Sequence, residues 1–185
     1  MPTQKTQSSA QAGKVETKEK KEETLATKKQ SSARQEEAEK LITHHMGWSA
    51  LAGFVPVPIY DFAAVTGSQL HMLKKMSEIY DVPFRDEAGK KIIAALISTL
   101  GAAAIGKALA ASLIKSIPVI GTATGLLLMP ALASASTYAL GHVFIKHFET
   151  GGNLLDLDVN KMETFFKEKL QEGKKIASDL QAKSK

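Results

Sequence analysis

Residues Gly101-Ala102-Ala103-Ala104-Ile105-Gly106-Lys107 have the spacing of a phosphate-binding loop, G-x-x-x-x-G-K. In such a loop backbone N–H groups cradle phosphates and the lysine reaches them. The next position breaks the pattern, because Ala108 stands where a Ser or Thr would bind magnesium. The stretch is also alanine-rich and helical in character, with no strand before it, so no nucleotide site is expected. Asp61 is an acid in an otherwise apolar stretch. A buried carboxylate needs a partner, and Lys107 or Arg85 could supply one. Equally, Asp61 could complement the positive end of a helix dipole, or serve as a proton or ligand site. His44, His45, His71, His142 and His147 offer no ligand pair at i,i+4 and no acidic ligand set beside them. No metal site is therefore expected. No Ser-His-Asp arrangement can be inferred, and the absence of cysteine removes disulfides and thiolate chemistry. The chain reads as non-enzymatic, without catalytic residues or cofactors.

The elements that would position these residues are helical. Residues 1–33 are rich in Lys, Glu, Gln, Ser and Thr. Such a segment buries too little apolar surface to offset chain entropy, so a disordered charged tail is expected. From Ala33 to Gly53, Ala38, Leu41, Ile42, Met46 and Ser49 recur at helical spacing. Pro56 and Pro58 interrupt that helix, and Pro58 is placed to open the next one. The second helix runs to about Tyr80, with Phe62, Val65, Gln69, Met72, Met76 and Ile79 on one face. Asp86 and Glu87 mark a third start, where acids meet the positive end of the dipole. The third helix reaches about Ser116, where Pro118 and Gly121 break the chain before a fourth helix toward Phe148. Asn160 and Glu163 have capping-box spacing ahead of a last amphipathic helix with Met162, Phe166, Leu170 and Leu180 as its apolar face.

The expected fold is all-α. A hydrophobic core of about four helices in two helix–Pro–helix units, residues 34–150, lies between the tail and a linker with a basic amphipathic helix, residues 151–185. Composition supports the division: residues 41–150 hold 61 apolar residues in 110, the flanks only 20 in 75. The net charge of +5 is spread over all three parts, and lysines alternate with glutamates, so nucleic acid is not an expected partner. Nothing hydrophobic follows Met1 until Leu41, which argues against an ordinary N-terminal signal peptide.

Ser116 to Ile145 is thirty residues without Lys, Arg, Asp or Glu, and Ile92 to Gly106 is a shorter run of the same kind. About 20 apolar residues suffice for a transmembrane helix. The first run is long enough, though Pro118 and Pro130 interrupt it. Gly121 and Gly125 form a G-x-x-x-G, which permits close helix contact. The second run is short, and Lys107 at mid-bilayer would cost about 2.5–3.5 kcal/mol. A soluble Ala/Gly-packed bundle explains the same pattern, but the length of the uncharged run favours membrane association and a transmembrane helix.

Several segments occur here in a recognisable order. They are L-I (41–42) with His44-His45, V-P-V-P-I-Y-D (55–61), A-V-T-G-S-Q-L (64–70), M-L-K-K-M-S-E-I-Y-D-V (72–82) and K-S-I-P-V-I-G-T (115–122). Over residues 36–150 the chain resembles the bacterial domain of unknown function found C-terminal to Era-like GTPase domains, in YcjF-type membrane proteins and as standalone chains. The resemblance implies an all-helical, membrane-associated module working beside a GTPase. It brings no catalytic residues, and no GTPase domain accompanies it here. The expectation is an anchor or effector on the cytoplasmic side of the bacterial inner membrane, with membrane lipid and a GTPase in trans as partners. Pro56, Pro58, Asp61, Lys107, Pro118, Gly121 and Gly125 are its candidate structural or partner-binding residues. An oligomeric pore built on the Gly/Ala faces, and a soluble helical interaction protein, are the alternatives; homo-oligomerisation is compatible with each.

Overall fold

A computed structural model describes the backbone of residues 5–52, 58–112 and 122–183, and the side chains of residues 21–50, 64–99 and 130–179. Five helices follow in order: α1 (Lys5–Ala52), α2 (Pro58–Ile79), α3 (Asp86–Ser112), α4 (Thr122–Glu149) and α5 (Val159–Lys183). There is no strand among the described residues, so the all-α expectation holds. The chain divides into two compact units, Met1–Glu36 and Glu37–Lys185.

In the first unit, residues 5–33 are described as part of the long helix α1. Their Ala, Glu, Lys and Gln are strong helix formers, and no proline follows position 2 in this stretch. Every side chain from 21 to 33 is exposed, so no apolar stripe supports this part of the helix.

Sequence signals set the helices of the second unit. Pro58 opens α2, as expected from its fixed φ and missing N–H. Asp86 and Glu87 occupy the first turn of α3. Helices α2 and α4 end alike: Val82 N–H donates to the Ser77 carbonyl at 2.8 Å, and Gly152 N–H to the His147 carbonyl at 3.0 Å. These are the six-to-one bonds of Schellman motifs. The left-handed position is held by Asp81 (φ 56°) in one and Gly151 (φ 81°) in the other. The start of α5 corrects one expectation, since Asp158 caps it in place of the Asn160–Glu163 box. Asp158 Oδ1 accepts the N–H groups of Asn160 at 3.1 Å and Lys161 at 3.3 Å, the two donors an N-cap side chain serves.

Contacts across the core fix the helix directions. Ser49 on α1 bonds Thr137 on α4, while Ile42 packs against Gly141, so α1 runs antiparallel to α4. Gln69 on α2 reaches Ser136 and Thr137. Eleven residues later Tyr80 meets Phe148, with rings 5.6 Å apart, so α2 and α4 run parallel. Gly173 on α5 lies against Ala135, and Lys146 sits over the Phe165 ring at 4.1 Å, so α5 returns antiparallel along α4. Helix α5 docks through Phe166, Leu170 and Ala177, with Met162 half-buried. The core is completed by Ile42, Met46, Met72, Leu73, Met76, Ile93, Leu96, Val143 and Phe144.

One consequence matters for function. The C-terminal end of α1 and the N-terminal ends of α2 and α4 lie at one end of the second unit, while the turns 80–85 and 150–158 lie at the other. The first end carries the charge-free stretches of α1 and α4 together with Asp61 of α2, and the second carries Lys74, Lys75, Glu78, Lys146 and Glu149.

Candidate functional site

Where α1, α2 and α4 meet, four polar side chains are sealed from solvent: Ser49, Gln69, Ser136 and Thr137. The helical period brings them together. Ser49 and Gln69 follow the apolar faces of α1 and α2, and the S-A-S-T run of α4 turns two hydroxyls toward them. Gln69 Nε2 donates to Ser136 Oγ at 3.1 Å and to Thr137 Oγ1 at 3.2 Å. Ser49 Oγ and Thr137 Oγ1 are 2.8 Å apart. Both α4 hydroxyls donate to the Ala133 carbonyl, at 2.9 and 3.0 Å. Thr137 Oγ1 is thus the hub, accepting from two helices while donating within its own. On α2, Thr66 Oγ1, Ser68 Oγ and Gln69 Oε1 are buried without a partner. The network joins hydroxyls and an amide. Its chemistry is to hold three helices in one register.

Beside the network lies an aromatic group spanning α1 and α2. His45 is buried, and its Nδ1–H donates to the Leu41 carbonyl at 3.0 Å. Its ring stands 5.6 Å from that of His71 and 5.5 Å from that of His44. Burial holds the His45 pKa below the ordinary imidazole value; the Leu41 carbonyl partly opposes this, and the two neighbouring imidazoles add to it. Trp48 Nε1–H donates to His44 Nε2 at 2.9 Å, yet the indole remains 58% exposed. Among the described residues no group of three or more His, Asp or Glu is arranged to hold a metal ion.

On the other side of α4, Tyr138 Oη–H donates to Glu172 Oε1 at 2.7 Å, and Lys169 donates to the same carboxylate. Burial and that carboxylate push the Tyr138 pKa well above its usual value. His142 stacks 4.3 Å from Tyr138, and burial, aided by Lys169, lowers its pKa. At the α4–α5 corner, His147 Nε2–H lies 2.8 Å from both the Asn153 carbonyl and Asp156 Oδ1. Asp156 also accepts the Asn153 N–H at 2.7 Å, which, ahead of His147, holds its carboxyl below the usual range. These bonds cap and brace the corner.

The residues singled out from the sequence fall elsewhere. Pro56, Pro118 and Gly121 lie outside the described residues. Asp61, Lys107 and Gly125 lie on the backbone of α2, α3 and α4, with the Asp61 and Lys107 side chains outside the description, so the Asp61–Lys107 pairing does too. The Gly101–Lys107 segment is inside α3, with helix in place of the strand a phosphate loop requires. Among the described residues no helix is long and apolar enough to cross a membrane; of the uncharged run expected to span, residues 116–121 and the side chains of 122–129 lie outside the description. Ser136, Thr137 and Trp48 were not legible as a group. The available signal was a polar S-A-S-T run inside an uncharged segment, opposite a glutamine on an apolar face.

Residues 17–175 match the family of domains of unknown function DUF697. Magnetosome membrane protein 22 of Magnetospirillum gryphiswaldense is 38% identical over 146 residues, covering 79% of this chain and 75% of that protein. No solved structure matches. The chain belongs to the DUF697 family.

Proposed function

We propose that this DUF697 member is a non-enzymatic, membrane-associated helical module that serves as anchor or effector for a GTPase supplied by a separate protein. The observation that carries the membrane part is the convergence of the charge-free ends of α1 and α4, with the start of α2 and its single charge Asp61, at one end of the second unit. The relative called a magnetosome membrane protein supports the same assignment. A largely uncharged end of this size binds lipid by apolar burial, at about 25 cal/mol per Å² removed from water. The GTPase part follows from the resemblance of the core to domains that accompany Era-like GTPases. The cytoplasmic side of the inner membrane is the compartment where such a partner meets lipid.

The charged end is then left for protein contact, and a shallow groove lined by Glu37, Leu41, Lys75, Glu78 and Ile79 opens there. The test is capture from detergent-solubilised membranes with the tagged full chain as bait. A GTP-binding protein should be recovered, still captured after deletion of residues 1–33, while the purified chain alone binds no GTP. Stoichiometric GTP binding by the isolated chain, or captures consistently free of a GTPase, would overturn the partnership.

A further inference from the structure

Trp48 is the single tryptophan of the chain, and it is largely exposed although it lies among residues that the fold buries. Its indole projects from α1 one residue before Ser49, at the level of the Ser49–Gln69–Thr137 network. The level lies inside long charge-free stretches: on α1 there is no Lys, Arg, Asp or Glu after Lys40, on α4 there is none up to Ile145, and on α2 the run Phe62 to Leu73 is uncharged, with Asp61 just before it. Beyond the level, toward the apolar end, α4 continues from Thr137 back to Thr122, about 22 Å at 1.5 Å per residue. That length passes a headgroup layer and enters hydrocarbon, since a bilayer of about 40–45 Å contains about 30 Å of hydrocarbon. Helix α5 brings Lys174 and Lys175 to nearly the same level, because Gly173 rests on Ala135. Indole rings favour the membrane–water interface because they are apolar in body and carry one N–H donor.

We infer that Trp48 marks the level at which the second unit meets lipid headgroups, with the apolar ends of α1, α2 and α4 on the lipid side and the turns 80–85 and 150–158 in water. The occupant of this end is a bilayer and not a second copy of the chain. A protein interface would give no reason for an amphipathic ring and two lysines to share one level within the charge-free stretches of α1 and α4. The inference rests on the membrane reading above and adds the orientation and the depth.

The experiment uses the full chain, the fluorescence of its one tryptophan, and vesicles of phosphatidylethanolamine with a minority of phosphatidylglycerol. Vesicle binding is followed by flotation, and depth by lipids brominated near the head or near the tail of the acyl chain. A Trp48→Phe, Leu155→Trp double variant supplies the opposite end, where Leu155 is exposed on the α4–α5 corner. The expected result is co-flotation, a blue shift of Trp48 emission, and stronger quenching by shallow bromines than by deep ones. The variant should float equally but show neither shift nor quenching. Flotation with Trp48 left in water, or with the Leu155→Trp reporter quenched, would overturn the orientation and leave membrane association standing. Shielding of Trp48 that is indifferent to bromine depth would assign the end to another protein chain and overturn the inference. Failure to float would overturn both readings.

Discussion

Single residues of the second unit carry measurable weight, and the capping positions are the plainest. Gly151 sits at φ 81°, where an L side chain crowds its own carbonyl. Gly151→Ala should therefore destabilise the unit by about 1–2 kcal/mol, read as a lower midpoint in urea unfolding followed by circular dichroism. Asp158 is the only side chain seen to serve the first N–H groups of α5, so Asp158→Ala should cost about 1 kcal/mol. The histidines set a pH dependence. His45 faces His44 and His71, and His142 faces Tyr138 together with Lys169, Glu172 and Glu39; both imidazoles titrate below the free value of about 6.5. Below that pH the unfolded chain binds more protons than the folded one, so stability is full above about 6.5 and falls as the medium is acidified. A melting temperature unchanged between pH 7 and pH 5 would contradict this, and His45→Gln should flatten the slope.

At the scale of elements, the helices are held in register by a polar hub and by close backbone approach. Thr137→Val keeps the shape but strands the Ser49 hydroxyl and removes one of the two acceptors of the Gln69 amide in a dry interior, so it should cost about 1–3 kcal/mol. Gly141 lets α1 reach α4, because a Cβ there would strike the Ile42 side chain, and both positions are buried. Gly141→Ala should cost about 1–3 kcal/mol, and Ile42→Val in the same chain should recover part of the loss. Much of this architecture was legible beforehand. Pro58 opened α2 and Asp86-Glu87 opened α3, because those signals act through local backbone chemistry. The α5 cap was misplaced by two residues, since Asp158 and Asn160 are both good caps and only the actual chain path chooses between them. The network of Ser49, Gln69, Ser136 and Thr137 was not legible, because it joins positions up to 88 residues apart. Within the uncharged run, Ser136 and Thr137 serve as hydrogen-bonding partners inside the bundle, which hydropathy alone does not reveal. Helix α1 extends through residues 5–33, where helix propensity is high and no apolar stripe is present among the described side chains.

At the scale of the molecule, charge and topology act together. A meander of helices whose charge-free segments flank alternate connections necessarily brings those segments to one end, and the second unit does so for α1, α2 and α4. The amphipathic α5 covers α4 with Phe166 and Leu170 and leaves Lys174 and Lys175 on the side of the apolar end. In the proposed reading the second unit thereby separates an end that meets lipid from a charged end that meets a protein partner. The central claim is that the attachment to membrane is apolar. Fractionation of cells expressing the full chain, followed by washing the membranes with concentrated salt and then with alkaline carbonate, tests it most directly. The account predicts that the protein stays in the membrane pellet through both washes, because neither disrupts buried apolar surface. Release by salt alone would show a Coulombic attachment, and a monodisperse protein in detergent-free buffer would contradict the account outright.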